Sequence, residues 1–196
     1  MSAPPIQMIP NFVEDHEMVF SRLWNELEWA HRGNTPRLEY YCNDIKEPYT
    51  YGTGSGARTY EVQPYHELIL GIRDKLEKLT LNKFEVCFLN GYRDGSDQLG
   101  WHADDSPEMD DARPIGIVSL GARREIYFRS NESIGWKGGQ SMSSMPPVPT
   151  KVWLESGSLC LMEAGMQDTH QHRIPKASYV GCGPRVSLTF RGYAKN

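Results

Sequence analysis

Asn90-Gly-Tyr-Arg-Asp-Gly-Ser-Asp-Gln-Leu-Gly-Trp-His-Ala-Asp-Asp105 is the stretch that decides how the rest of the chain is read. It holds His102 and Asp104 two positions apart. On an extended backbone, residues so spaced project to one face. Outward toward the N-terminus lies an apolar run, residues 84–89, with the composition of a buried strand. Outward toward the C-terminus lie His170 and His172, then a second strand-like run from Arg185 to Arg191.

An imidazole and a carboxylate on one face can hold one metal ion from one side, and His170 or His172 offers a third ligand. Two histidines and a carboxylate with open positions form the geometry of non-haem Fe(II) oxygenases. The pair alone says little. With 6 His and 25 acidic residues in 196 positions, a His-x-acid pair arises about once by chance. The weight comes from the order of the parts: strand, His-x-Asp, distal histidine, then a strand bounded by two arginines. Arg185 and Arg191 are six apart, so a straight strand points both to one side. Two inward guanidiniums on an apolar strand are costly without anionic partners. A dicarboxylate would supply them, in the bidentate geometry that favours Arg over Lys.

The bulk properties set bounds. A chain of 196 residues suits one domain with a substantial core. A net charge of −4 advertises no global basic field, so a nucleic-acid partner would be held by a local patch. Cys42, Cys87, Cys160 and Cys182 are scattered without a Cys-x-x-Cys, as in reduced intracellular thiols. No apolar run has membrane-spanning length and no basic-then-apolar leader is present. The expectation is a cytoplasmic monomer without a membrane; a nuclear address would leave no mark here.

In chain order, residues 1–10 read as a Pro-rich extended arm. Residues 14–30 place Val19, Phe20, Leu23, Trp24 and Leu27 at helical spacing. A turn and strand follow over 35–41. Residues 43–60, with Gly52, Gly54 and Gly56, read as a mobile loop. Residues 65–79 form a second amphipathic helix through Leu68, Ile69, Ile72, Leu76 and Leu79. Strands are expected near 84–90, 115–120, 125–128, 151–154, 158–162, 169–173 and 186–192. Residues 131–150 lack a period and read as a loop, lid or insertion. Helices first and strands later indicate α+β with an antiparallel core.

Several of these segments together resemble the AlkB family of Fe(II)- and 2-oxoglutarate-dependent nucleic-acid dealkylases. The resemblance rests on Asn90-x-Tyr92, Asp94-Gly95, His102-x-Asp104-Asp105 and Ser119-Leu-Gly-Ala122. It continues through Gly157-Ser-Leu159, His172-Arg-Ile-Pro175 and Pro184-Arg-Val-Ser-Leu-Thr-Phe-Arg191. It covers residues 36–193, and its final Arg-x5-Arg element is the most specific part. It implies a double-stranded β-helix, or jelly roll, backed by two N-terminal helices. Residues 1–35 would be arm and helix and 36–196 the dioxygenase domain, one compact unit in all.

The same resemblance implies site roles. His102, Asp104 and His172 would hold Fe(II); chemistry alone allows His170 in place of His172, but the following Ile-Pro fits the family's distal histidine. Arg185 would grip a carboxylate of 2-oxoglutarate, and Arg191 the cosubstrate or its neighbours. Asn90 and Tyr92 would also touch the cosubstrate, although a strand-end hydrogen bond and a core aromatic explain them almost as well. Ser187 stands where the family often has Asn. Asp105 would contact the damaged base, with Ser106 where some relatives carry a second acid. Tyr51 would stack on a flipped base, in a slot shared with Tyr49 and the His102 ring.

For phosphate contacts the candidates are Arg93, Arg123, Arg124, Arg129, Arg173 and Lys176. A solvated charged face is the plainer reading of any one of them. One basic residue in the 176–184 loop points to single-stranded DNA or RNA rather than duplex. The implied reaction consumes O2 and 2-oxoglutarate and removes methyl groups from bases such as 1-methyladenine and 3-methylcytosine. Formaldehyde, succinate and CO2 would be released. Two alternatives stand: an oxygenase acting on a protein side chain or small metabolite, and a jelly-roll binding module with metal but no turnover.

Overall fold

The computed structural model describes residues 3–33, 35–51, 57–132 and 148–194. Two helices, α1 (His16–Glu26) and α2 (Glu67–Thr80), back a six-stranded antiparallel sheet. Its order is β1 (Ile6–Ile9), β10 (Leu159–Met162), β7 (Ile115–Gly121), β12 (Arg185–Arg191), β5 (Val86–Tyr92) and β2 (Leu38–Asn43). A four-stranded antiparallel sheet faces it, ordered β6 (Leu99–His102), β11 (His170–Ile174), β8 (Arg124–Ser130) and β9 (Thr150–Leu154). The fold is a double-stranded β-helix, and β5, β7, β8, β9, β10, β11 and β12 lie within about two residues of the segments that periodicity predicts.

Alternation explains why the two faces of the large sheet differ. On β12, Val186, Leu188 and Phe190 turn toward the helices and join Leu23, Ile69 and Leu76 in one apolar cluster. Arg185, Ser187, Thr189 and Arg191 turn the other way, into the space between the sheets. On β7 the same rule sends Val118 and Leu120 to the helices, and Ile115 and Ile117 to Ile126, Phe128 and Ile174 of the second sheet. The inter-sheet layer is therefore apolar at one end and polar at the other. The helix layer supplies stability, since each fully buried Leu or Phe is worth roughly 1.5–3 kcal/mol. Gly121 carries the chain from one sheet to the other at a φ of +86°, where a Cβ would meet the Pro184 carbonyl oxygen at 2.6 Å.

Three local readings change. The extended arm is a strand: Ile6–Ile9 pairs with Leu159–Met162 and closes one edge of the large sheet. Helix α1 ends at Glu26, short of residue 30, because the chain turns extended at Leu27 and Ala30 forms a two-bond bridge with Glu39. Leu27 stays buried, so the apolar spacing survives the loss of the helical turn. The expected loop over 43–60 contains a ribbon, β3 (Tyr49–Tyr51) paired with β4 (Arg58–Tyr60), while its Gly52, Gly54 and Gly56 lie outside the described residues. Most of the 131–150 segment lies outside them too. No helix among the described residues is long and apolar enough to cross a membrane.

Candidate functional site

Antiparallel pairing of β6 with β11 sets His102 directly opposite His172, with ring centroids 4.2 Å apart. Asp104 follows two residues after His102, where β6 has ended, and its buried carboxylate turns back between the rings. His102 Nε2 lies 3.6 Å from Asp104 Oδ1 and His172 Nε2 lies 3.7 Å from Oδ2. All three donors fall within 4.8 Å of one another. Those gaps are too long for hydrogen bonds. Two donors each about 2.1 Å from one ion can be as much as about 4.2 Å apart, so they suit a shared metal. His170, on the same strand, is not part of this group; its Nδ1 lies 2.9 Å from Thr169 Oγ1.

Protonation suits the same purpose. His102 Nδ1 lies 2.9 Å from the Gly100 carbonyl, so its N–H donates there and the Nε2 lone pair faces Asp104. Burial pushes His172 down to about 3, aided by the neighbouring His102 and Arg191, so this imidazole is neutral at pH 7. Burial would raise Asp104, but Arg191 and the two histidines outweigh it and hold the carboxyl below its usual range. Arg191 Nη2 donates to Asp104 Oδ1, and the Asp104 N–H donates to Gln167 Oε1 at 2.9 Å. A neutral imidazole and an ionised carboxylate are the forms a divalent metal binds.

The polar row of β12 extends from this cluster. Arg185 is fully buried and faces Tyr92 across the strand pair, its guanidinium carbon 5.1 Å from the ring centroid. Its Nη2 donates to Ser119 Oγ at 2.8 Å and Ser187 Oγ at 3.3 Å. Nη1 and Nε have no hydrogen-bond partner among the described residues, and no carboxylate neutralises the charge there. Burial accordingly lowers the Arg185 pKa. A buried guanidinium lacking an anion fits an acidic ligand, and so does the unpaired Nε of Arg191. Asn90 stands opposite Ser187, but its Oδ1 accepts from Arg37 Nε at 2.7 Å. Arg37 is in turn held by buried Glu39 at 2.8 Å.

A cavity of about 460 Å³ opens onto the triad and onto Asn90, Tyr92, Ser187 and Arg191. Its outer wall is aromatic. Tyr49 stacks on Tyr60 with centroids 6.0 Å apart and 18° between planes, and its hydroxyl hydrogen-bonds Ser106 Oγ. Tyr51 also lines the cavity and is 45% exposed. Asp105 is exposed and does not line it; Ala103 and Ser106 take the wall on either side.

The basic candidates separate. Arg124 is buried and donates to the carbonyls of Asp97 and Pro175, while Arg93 chelates Asp97. Arg129 and Arg173 both lie over the Trp101 ring. Sequence reading missed Arg37, Gln167 and Trp101, and it quoted Ser119 without giving it a role. Arg37 and Glu39 do show period-two spacing on one strand face; Gln167 has no local signal at all.

The chain is 30% identical over 195 residues to the Bos taurus alpha-ketoglutarate-dependent dioxygenase alkB homolog 3, covering 94% of this chain and 64% of that protein. It is 34% identical over 158 residues to the Homo sapiens DNA oxidative demethylase ALKBH2, covering 81% of this chain and 57% of that protein. The chain thus spans less than two thirds of these relatives' length. The solved structure of OsALKBH1 superposes with a TM-score of 0.66 at 16% identity, over 98% of this chain and 99% of that one. Residues 6–191 match the family model described as the 2OG-Fe(II) oxygenase superfamily, and the chain belongs to that superfamily.

Proposed function

We propose that the protein oxidatively removes N-methyl groups from nucleic-acid bases, 1-methyladenine and 3-methylcytosine among them, with a preference for single strands. The observation that carries this reading is the placing of His102, Asp104 and His172 at the floor of a cavity walled by Tyr49, Tyr51 and Tyr60. Flat walls suit a flat ring, and base-modifying enzymes hold the extracted base between such side chains. The similarity to proteins named for oxidative demethylation of DNA points the same way.

Iron(II) with 2-oxoglutarate, when bound, supplies the activation of O2 that oxidises an N-methyl group. The overall balance is methylated base, O2 and 2-oxoglutarate to base, formaldehyde, succinate and CO2. The rest falls to the chain. His102, Asp104 and His172 would hold the metal, with Gly100 fixing the His102 tautomer and Gln167 fixing the Asp104 backbone. Arg185 would take a carboxylate of 2-oxoglutarate in a pocket closed by Tyr92, Ser119 and Ser187. Tyr49 and Tyr60 would position the base and keep water from the reacting methyl group.

The test is incubation of a methylated single-stranded oligonucleotide with iron and 2-oxoglutarate, scoring formaldehyde, succinate and loss of one methyl mass. The expected result is formaldehyde and succinate in equal amounts, faster on single strands than on duplex, and abolished in His102→Ala. Steady succinate without formaldehyde on any nucleic acid would overturn the reading in favour of a protein or metabolite substrate.

A further inference from the structure

The outward face of the four-stranded sheet alternates cations with aromatic rings. Along β11 and β8, His170, His172, Ile174, Ile126 and Phe128 are buried, and the residues between them face out. Two of these, Arg129 and Arg173, both lie against the Trp101 ring of β6, with guanidinium carbons 4.2 and 4.8 Å from its centroid. Arg173 also lies 5.1 Å from the Tyr127 ring, over which Lys151 of β9 sits at 4.9 Å. Trp153, two residues on from Lys151, is 39% exposed and carries a further cation, Arg123, 4.6 Å from its ring centroid.

The acid Glu125 shares this face, and its Oε2 accepts from the Tyr127 hydroxyl at 3.4 Å rather than pairing with a cation among the described residues. Among the described residues, Arg129, Arg173 and Lys151 have no carboxylate within salt-bridge distance. Arg129 instead spends two donors on the neutral Gln171 Oε1, at 2.6 and 3.0 Å. Two guanidiniums on one indole repel each other, and an anion accepting from both would relieve that repulsion. In a chain of net charge −4, Arg129, Arg173 and Lys151 against Glu125 leave this face locally positive. It is also continuous with the cavity: Trp101 lines the cavity wall and directly precedes His102.

We propose that this face is the track for a single-stranded nucleic acid running outward from the cavity across β6, β11, β8 and β9. Its phosphates lie on Arg129, Arg173 and Lys151, and flanking bases stack on Tyr127 and Trp153. Aromatic platforms combined with a cationic path are how unpaired strands are held without sequence preference. Four strands spaced about 4.8 Å apart span about 14 Å, the length of roughly four stacked nucleotides. The proposal rests on the nucleic-acid reading of the active site, and its test is independent of turnover.

The experiment is fluorescence anisotropy of an unmodified single-stranded 12-mer over a range of salt, without iron or 2-oxoglutarate. It compares the full chain with Arg129→Gln/Arg173→Gln, Arg129→Lys/Arg173→Lys and the exposed-site variant Lys151→Gln. The Gln pair is expected to bind at least about tenfold more weakly and to flatten the log–log salt slope by about 1.4, two phosphate contacts on a single strand. The Lys pair keeps the charge and should keep most of the slope, and Lys151→Gln should flatten it by about 0.7. Unchanged affinity and slope in both Gln variants would overturn the track. So would a poly-glutamate peptide that binds as tightly as the oligonucleotide and with the same dependence on these residues, since that marks a protein partner. Oligonucleotide binding with no demethylation would sink the active-site reading and leave the track standing; demethylation with no effect of these variants would do the reverse.

Discussion

Arg191, at the end of β12, donates from Nη2 to Oδ1 of Asp104, 87 positions earlier in the chain. This bond links the polar row of the large sheet to the carboxylate of the triad. The guanidinium keeps a fully buried Asp104 ionised, which a metal ligand must be. Replacing Arg191 by Gln should therefore weaken metal binding by about 10- to 100-fold, the usual cost of losing a partner that orients a ligand. Calorimetric titration with a divalent metal measures it directly. Arg191→Lys, which keeps the charge but loses the fork, should fall between the two.

Arg185 makes the opposite kind of prediction. Its charge is buried and no carboxylate among the described residues pairs with it, so removing it should not destabilise the ligand-free chain. Arg185→Met should melt at or above the wild-type temperature. Metal with 2-oxoglutarate should stabilise wild type, as any ligand selective for the folded state does, and leave this variant almost unmoved. A thermal-shift series with and without the keto-diacid checks both halves.

The pH dependence follows from His172. Burial lowers its pKa from the usual 6.5 to about 3, so the unfolded chain takes up a proton that the folded chain refuses. Stability from this group is complete above about pH 6.5 and is lost as the pH falls toward 3. The metal-free protein should thus melt progressively lower over that range. His172→Gln should remove one proton's worth of the slope, measured by denaturant titration at several pH values.

The legible parts of the site were those governed by strand alternation. His102 with Asp104, and Arg185 through Ser187 to Arg191, share faces because side chains alternate every two residues. What remained hidden arrives through tertiary packing. Gln167 reaches the Asp104 backbone across 63 residues without any local pattern, and Arg37 reaches Asn90 across 53, a partner that its period-two spacing with Glu39 does not name. Asp105, next in sequence to Asp104, projects the other way: it is exposed and does not line the cavity, where the resemblance would set it against the base. Helix α1 stops early for a similar reason, since the bridge from Ala30 to Glu39 outcompetes one more helical turn.

The helix layer supports the site from behind. Leu76 is fully buried, and its Cδ2 sits where a side chain at Gly116 of β7 would begin, 2.6 Å from an ideal Cβ. Leu76→Ala should cost about 2–5 kcal/mol, read from urea unfolding. Metal affinity of the fraction that remains folded should be unchanged, because Leu76 touches nothing in the triad.

The most direct test of the central claim is a titration with Mn(II), a redox-quiet stand-in for iron, followed by electron paramagnetic resonance. One ion per chain is expected in wild type and in His170→Ala, and none at comparable concentration in His102→Ala, Asp104→Ala or His172→Ala. Retention of a tight stoichiometric site in any of those three, or its loss in His170→Ala alone, would contradict the account.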